Sequence, residues 1–233
     1  MIHRYARTFR FVSLLAACGG EAAPPPAPPE APTPGPSAPV PADSRPVILF
    51  LGTSLTAGLG LPDPAAQAYP ALIQARLDSA GLAFRVVNAG VSGETSAGAL
   101  RRIDWLMSQG PVAVLFVETG ANDGLRGQDP DTLHANLTAI LARARQQEPP
   151  PLLVVAGMEA PPNLGRAYAS RFRAVYPAVA REQGARLVPF LLEGVAGVES
   201  LNQSDGIHPT AEGQRRVADL VWGVVREAVT AGR

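Results

Sequence analysis

Lysine is absent from this chain of 233 residues, so all 20 of its basic side chains are arginines. The absence excludes a Walker-type phosphate loop and a lysine Schiff base, because both require the lysine amine. A single cysteine excludes an intrachain disulfide and a multi-cysteine zinc or iron-sulfur site. The 20 acidic residues balance the arginines, so no nucleic-acid partner is expected. No apolar run approaches the roughly 20 residues of a membrane-spanning helix.

The first 18 residues have the pattern of an export signal. Three arginines precede a short apolar run at residues 11–17. The run ends in Leu-Ala-Ala-Cys18, which resembles the lipobox of bacterial lipoproteins, in which the cysteine is lipidated. An apolar segment with an incidental cysteine is the alternative. We expect residues 1–18 to be a lipoprotein-type signal peptide and Cys18 to anchor the exported protein to a membrane, facing the periplasm or the cell exterior.

Residues 19–46 contain 11 of the 24 prolines, mixed with alanine and few charges. Such a segment buries too little apolar surface to fold, and it favours extended polyproline II. We therefore expect a disordered tether at residues 19–46 and one folded domain at residues 47–233, acting as a monomer.

The folded part alternates two kinds of segment. Short, nearly continuous apolar runs predict strands buried on both faces of a parallel sheet, at residues 47–51, 84–88, 112–117, 152–155 and 186–190. Segments with helical spacing lie between and after them, at residues 69–80, 97–108, 130–147, 164–183 and 210–228. This alternation predicts a doubly wound α/β domain, whose functional residues gather in the loops after the carboxyl ends of the strands.

Only one of the three histidines lies in such a loop. His3 belongs to the leader, and His134 lies on a helical segment, whereas His208 follows the fifth strand. Asp205 precedes it by three positions, and Gly206 would let the chain turn so that the carboxylate orients the imidazole as a base. A plain turn followed by a helix start is the alternative.

Other loop residues offer the remaining groups for ester or thioester hydrolysis, namely a nucleophile and donors for an oxyanion. Ser54 follows the first strand, where a sharp turn would expose its hydroxyl; a helix N-cap is the commoner role. Gly90 offers a backbone N–H after the second strand, and Asn122 offers a side-chain amide after the third. Both are also ordinary turn residues.

Four segments in these loops together resemble the four blocks of the SGNH (GDSL-type) hydrolases, in order. They are Gly-Thr-Ser-Leu-Thr-Ala-Gly at 52–58, Asn-Ala-Gly-Val-Ser-Gly-Glu-Thr at 88–95, Gly-Ala-Asn-Asp-Gly-Leu-Arg-Gly at 120–127 and Asp-Gly-Ile-His-Pro-Thr at 205–210. The most similar branch comprises exported multifunctional acyl thioesterases, lysophospholipases and arylesterases. The resemblance implies a flavodoxin-like three-layer α/β/α sandwich with a five-stranded parallel sheet.

The resemblance also implies the role of each site residue. Ser54 is the expected nucleophile, His208 the general base and then acid, and Asp205 the orienting carboxylate. The expected oxyanion donors are the backbone N–H groups of Ser54 and Gly90 and the side-chain amide of Asn122. No metal and no organic cofactor take part in the chemistry of this family.

Position 53 departs from the family pattern, because threonine stands where the first block normally has aspartate. Aspartate accepts backbone N–H bonds that threonine accepts more weakly, so the turn that carries Ser54 loses a stabilising acceptor. We expect an active enzyme in which Thr53→Asp changes the rate by no more than about tenfold.

The predicted substrate-binding residues are Leu59, Met158, Pro161 and Ile207, in a mainly apolar set that also includes Leu61, Pro62, Pro162 and Leu164. These side chains suit an acyl chain, although they could merely pack loop against loop. The substrates we expect are small to medium acyl esters, thioesters or lysophospholipids. A carbohydrate O-deacetylase of the same superfamily is one alternative, and a noncatalytic lipoprotein that binds an acyl or glycan ligand is another.

Overall fold

A computed structural model describes residues 43–230 of the chain. The predicted signal peptide at residues 1–18, and the predicted tether up to residue 42, lie outside the described residues. Contacts with the domain begin before residue 47, because the Arg85 N–H donates to the Pro46 carbonyl at 2.9 Å. Among residues 43–230, no helix has both the length and the apolarity that crossing a membrane requires.

The predicted five-stranded parallel sheet is confirmed. Its strands lie in the order β2-β1-β3-β4-β5, and every neighbouring pair is parallel. The strands are β1 (Val47–Gly52), β2 (Arg85–Gly90), β3 (Val112–Glu118), β4 (Leu152–Ala156) and β5 (Arg186–Val188).

Helices cover both faces of this sheet and complete the three layers. They are α1 (Ser54–Ala57), α2 (Pro64–Gln67), α3 (Tyr69–Ser79), α4 (Ser96–Met107), α5 (Ala121–Leu125), α6 (Pro130–Ala144), α7 (Arg166–Glu182) and α8 (Ala211–Thr230). Helix α6 contacts both α4 and α7, whereas α3 contacts α8. Right-handed crossovers explain why these two groups of helices lie on opposite faces. The chain runs one way along the sheet from β1 to β2 and the other way from β2 to β3, so the connecting helices cover different faces.

Burial differs between the strands. The interior strands β1, β3 and β4 are almost wholly buried, but β2 is only half-buried. The expectation of burial on both faces therefore fails for β2, because it lies at an edge of the sheet. Strand β5, the other edge, ends two residues earlier than predicted, since Pro189 has no N–H to extend the ladder.

Three short helices lie in connections between elements where the sequence predicted only turns or loops. Helices α1, α2 and α5 have four or five residues each, too few to display a helical period of their own. Isolated helices of this length are unstable, so tertiary contacts must hold them. Two of them, α1 and α5, lie at the carboxyl ends of β1 and β3, which are neighbours in the sheet.

Candidate active site

Ser54 is the first residue of α1, and only Thr53 separates it from Gly52 at the end of β1. Thr53 is extended (φ −104°, ψ −150°) and occupies the N-cap position, so the N-cap alternative does not apply to Ser54. The Ala57 N–H donates to the Thr53 carbonyl at 2.9 Å, and Gly58 ends the helix in the left-handed region (φ 74°). This single tight turn presents the Ser54 hydroxyl to a cavity.

The loop after β5 brings Asp205 and His208 together. Gly206 adopts a left-handed conformation (φ 70°), which folds the loop back on itself. Asp205 Oδ1 accepts the N–H groups of Ile207 (2.9 Å) and His208 (3.0 Å), while its Oδ2 lies 2.6 Å from His208 Nδ1. The side-chain hydrogen bond with His208, followed by the two backbone bonds, lowers the pKa of Asp205 to about 2. The carboxyl is therefore ionised throughout the neutral range.

His208 Nε2 lies 2.9 Å from Ser54 Oγ, across 154 positions of sequence. An ionised carboxylate can only accept hydrogen bonds, so Asp205 requires the hydrogen on Nδ1. In the neutral imidazole Nε2 then carries no hydrogen, and its lone pair faces the serine hydroxyl. The structure thus joins the three predicted triad residues in one chain of hydrogen bonds, and their catalytic roles stay predictions.

Two of the predicted oxyanion donors face the cavity. The Ser54 N–H has no hydrogen-bond partner within residues 43–230, as expected at the start of a helix. Asn122, in α5, donates one amide hydrogen from Nδ2 to the Glu94 carbonyl at 3.0 Å. This bond fixes the amide and leaves its second hydrogen available to a bound oxyanion.

The structure does not bring Gly90, the third predicted donor, to the cavity with the other two. Its N–H donates to Asn88 Oδ1 at 2.9 Å, and Gly90 is absent from the cavity wall. Gly90 packs against α1 instead, where an added Cβ would lie 2.3 Å from the Ala57 nitrogen. Gly93, the second glycine of the same block, lines the cavity, and its N–H has no partner among the described residues. The sequence could not distinguish the two glycines, because it does not show that β2 continues through Gly90.

The loop that carries Gly93 is fastened to α5. Arg126 Nη2 donates to the Gly93 carbonyl at 3.0 Å. The buried Asp123 carboxylate accepts the Ser96 N–H at 2.8 Å and the Ser96 hydroxyl at 2.5 Å. Since Asn122 is in the same short helix, these bonds set the spacing between the two candidate donors.

A mostly buried ion pair ties the same loop to the nucleophile turn. Arg102 Nη2 lies 2.6 Å from Glu94 Oε2, and the same nitrogen donates to the Gly52 carbonyl at 3.2 Å. The pair therefore connects α4, the loop before it and the end of β1. The sequence reasoning had no signal for this link, because the partners lie on different elements.

Glu118, the last residue of β3, is fully buried directly beneath the nucleophile turn. Its carboxyl accepts the Thr53 N–H at 2.8 Å, the Thr53 hydroxyl at 2.9 Å and the Thr56 hydroxyl at 2.9 Å. Burial raises the pKa of Glu118 to about 7, against the opposing effect of these bonds. In the sequence, the signal for this residue is an acid immediately after the apolar run 112–117.

A cavity of about 820 Å³ opens beside Ser54 and His208. All four predicted substrate-binding residues line it, but Leu61, Pro62 and Leu164 do not. Its wall is mainly apolar, and it also includes side chains that the sequence did not single out as lining residues: Leu125, Phe190, Leu192 and Ala196.

The other described histidine lies elsewhere. His134 is on α6, where its Nε2 lies 3.0 Å from Glu182 Oε2 of α7. Within residues 43–230, no group of three or more His, Cys, Asp or Glu side chains could hold a metal ion.

Several known proteins are similar to this chain. The model of the GDSL-like Lipase/Acylhydrolase family matches residues 50–216. Esterase TesA of Pseudomonas aeruginosa is 43% identical over 179 residues, which are 77% of this chain and 87% of that protein. Thioesterase 1/protease 1/lysophospholipase L1 of Escherichia coli K12 is 38% identical over 172 residues, 74% of this chain and 79% of that protein. The crystal structure of TesA has a TM-score of 0.74 at 41% identity and covers 78% of this chain and 99% of its own.

Proposed function

The chain belongs to the GDSL-like lipase/acylhydrolase family and is a serine esterase and thioesterase; from this premise we propose that Ser54, His208 and Asp205 are its catalytic triad. The observation that carries the proposal is the hydrogen-bond chain from Asp205 through His208 to Ser54 Oγ at the wall of an apolar cavity. No other described serine contacts a histidine that is held by a carboxylate.

The first half of the reaction transfers the acyl group to Ser54. His208 Nε2 takes the hydroxyl proton while Oγ bonds to the acyl carbon, and the carbonyl oxygen becomes an oxyanion. The N–H groups of Ser54 and Gly93 and the Asn122 amide donate to this oxygen. The imidazolium then gives its proton to the leaving alcohol or thiol as the bond to the acyl carbon breaks.

The second half releases the acid. A water molecule gives a proton to His208 Nε2 and bonds to the acyl carbon, and the oxyanion forms again at the same donors. When it collapses, the bond to Ser54 Oγ breaks, and the proton returns from His208 to the serine. Asp205 stabilises the imidazolium in both halves without taking its proton.

Replacement of the nucleophile tests this assignment. We expect Ser54→Ala to lower kcat for p-nitrophenyl butyrate by at least about 10⁴-fold, because no other hydroxyl within residues 43–230 forms a hydrogen bond with the His208 ring. A fluorophosphonate probe should modify Ser54 of the native protein, as mass spectrometry of the labelled peptide would report. Labelling of a different residue would refute the assignment.

The chemistry of the cavity wall favours acyl chains over sugars. Side chains such as Leu59, Met158, Phe190 and Leu192 offer apolar contact and few hydrogen bonds. We propose small to medium acyl esters, acyl thioesters and lysophospholipids as substrates. For p-nitrophenyl esters, kcat/KM should rise from acetate to the longer chains, and acetyl-xylan should be a poor substrate. The reverse order would favour a carbohydrate O-deacetylase.

We also propose that the protein is exported and carries a lipid on Cys18. The support is the arrangement of arginines, apolar run and cysteine within residues 1–18, followed by the proline-rich segment. Cells fed an alkyne-bearing fatty acid should label the native protein but not Cys18→Ser, and the label should sediment with membranes. Equal labelling of both forms would reject the anchor.

A further inference from the structure

We propose that Glu118 is a positioning residue that holds the Ser54 turn from below, supplying from β3 the carboxylate that threonine at position 53 cannot supply. The inference rests on the proposed function of Ser54 and goes beyond it. Glu118 does not touch the reacting atoms, so its effect on the reaction passes through the turn.

Glu118 binds residues on both sides of Ser54 in the sequence. Its oxygens accept the N–H and the hydroxyl of Thr53, immediately before Ser54, and the hydroxyl of Thr56, two residues after it. The Thr53 hydroxyl caps no helix N–H and is committed to this carboxyl. One buried group therefore restrains both ends of the segment that carries Ser54 Oγ.

The hydroxyl groups of Tyr69 and Thr56 form a chain of hydrogen bonds that ends at Glu118. Tyr69 OH lies 2.6 Å from Thr56 Oγ1, and Thr56 Oγ1 lies 2.9 Å from Glu118 Oε2. If Tyr69 donates to Thr56 and Thr56 donates to Glu118, every hydrogen in the chain has an acceptor. That arrangement ends on an acceptor-only group, which is the ionised carboxylate.

Gly52 leaves room for the Glu118 carboxyl, because glycine has no Cβ. A Cβ added to Gly52 would lie 1.9 Å from Thr56 Oγ1 and 2.9 Å from Glu118 Oε2. Any side chain at position 52 would thus push the carboxyl and the threonine apart.

Within the part of the chain that the structure describes, no cation acts on Glu118 to neutralise it. The titratable groups that face it are Tyr69 and Tyr176, both fully buried, and burial raises the pKa of each well above its usual value. Both stay neutral, so the ionised carboxyl is stabilised by neutral donors alone. Since burial also raises the pKa of Glu118 to about 7, its charge changes within the pH range in which the enzyme would be assayed.

The primary test is Glu118→Gln in the full chain. The amide keeps the shape but cannot accept all three donors. Hydrogen bonds to charged groups contribute about 1.5–3 kcal/mol, so we expect kcat for p-nitrophenyl butyrate to fall about 10- to 100-fold. KM should change much less, because the cavity wall is intact, and the rate of fluorophosphonate labelling at Ser54 should fall in parallel with kcat.

The pH profile provides a readout that a merely structural role would not change. If both His208 and Glu118 must lose a proton, the acid limb of log kcat/KM for the native enzyme should approach a slope of about 2. Glu118→Gln removes one of the two groups, so its acid limb should have a slope near 1. Identical slopes in the two proteins would contradict the proposal.

A carboxylate introduced at position 53 tests whether the activity lost in Glu118→Gln can be restored. Thr53→Asp in the native background places two carboxyls in one buried site, where like charges oppose ionisation, so kcat should fall by up to about tenfold. In the Glu118→Gln background the same substitution should instead raise kcat by at least about fivefold, because the amide can donate to the new carboxylate. A decrease in both backgrounds would overturn the inference.

Thr119→Val is the matched control. Thr119 follows Glu118, is equally buried, and its hydroxyl has no hydrogen-bond partner among the described residues. The control should keep native kcat and the native pH slope. Should Glu118→Gln fail to fold, Thr53→Val and Thr53→Ser replace it. The valine should lower kcat about three- to tenfold and the serine should not, since only serine keeps the hydroxyl donor.

The outcomes separate this inference from the proposed function. If the probe labels Ser54 in the native protein and in Glu118→Gln at the same rate, the role of Glu118 is refuted and the triad stands. If the native protein is not labelled at Ser54, both proposals fail.

Discussion

The reactivity of Ser54 depends on which nitrogen of His208 carries a hydrogen. Asp205 accepts from Nδ1 at 2.6 Å and from two backbone N–H groups, so its carboxylate and the ring hold each other in a single orientation. An imidazole in the other tautomer would turn an N–H toward Ser54 and could not take its proton. The orientation of the Asp205 carboxylate therefore decides whether His208 can take the proton of Ser54.

Asp205→Asn should therefore be nearly inactive while remaining folded. An asparagine amide can donate to Nδ1 and so favours the tautomer that carries its hydrogen on Nε2. We expect kcat to fall on the order of 10³- to 10⁴-fold, as for similar triads. Asp219→Asn is a suitable control, because Asp219 is an exposed acid on α8 that pairs with Arg76. A loss of less than about tenfold would contradict the tautomer argument.

At the scale of elements, the site depends on how separate loops are joined. The Glu94–Arg102 pair fastens the loop of Gly93 to the end of β1, and both side chains are mostly buried (11% and 19% exposed). Removing one partner leaves an uncompensated charge, whereas removing both does not. The stability of the loops and the spacing of the oxyanion donors are therefore linked.

Arg102→Met should lower the free energy of unfolding by about 3 kcal/mol and reduce kcat as well, because Glu94 loses its partner. The double variant Glu94→Gln with Arg102→Met should recover part of the lost stability, as urea unfolding would measure. Arg101→Met, on the exposed face of the same helix, should leave both quantities unchanged. Additive effects of the two substitutions would show that the pair is not coupled.

For the molecule as a whole, the buried acid Glu118 couples folding to pH. Burial raises its pKa from 4.5 to about 7, so the folded protein binds more protons than the unfolded chain between these values. Stability from this group is fully present below pH 4.5, falls as the pH rises through about 7, and then levels off. Ionisation of Glu118, which its proposed role in catalysis requires, therefore lowers the free energy of unfolding.

Glu118→Gln should remove this contribution. Between pH 5 and pH 8, the native protein should lose more unfolding free energy than the variant, with a difference on the order of 3 kcal/mol. Urea unfolding at several pH values measures it, and Thr119→Val should follow the native curve. Parallel curves for the native protein and Glu118→Gln would mean that the carboxyl does not titrate in this range.

Local sequence patterns were sufficient to predict the class of fold and most residues of the candidate site. Apolar runs separated by helical segments are enough to predict a doubly wound sheet. The rule that loops at the carboxyl ends carry function made candidates of Ser54, Gly90, Asn122, Asp205 and His208, and the resemblance to the SGNH hydrolases implied their roles. These predictions depend on local patterns, which a chain displays without being folded.

Which side chains and backbone groups come into contact depends on the tertiary structure. It placed Gly93 rather than Gly90 at the cavity, because β2 extends through Gly90 and uses its N–H on Asn88. It also brought Glu118 beneath Thr53, since β1 and β3 are neighbours in the sheet although 65 positions separate the two residues. Contacts between strands depend on strand order and register, and neither quantity can be read from one strand at a time.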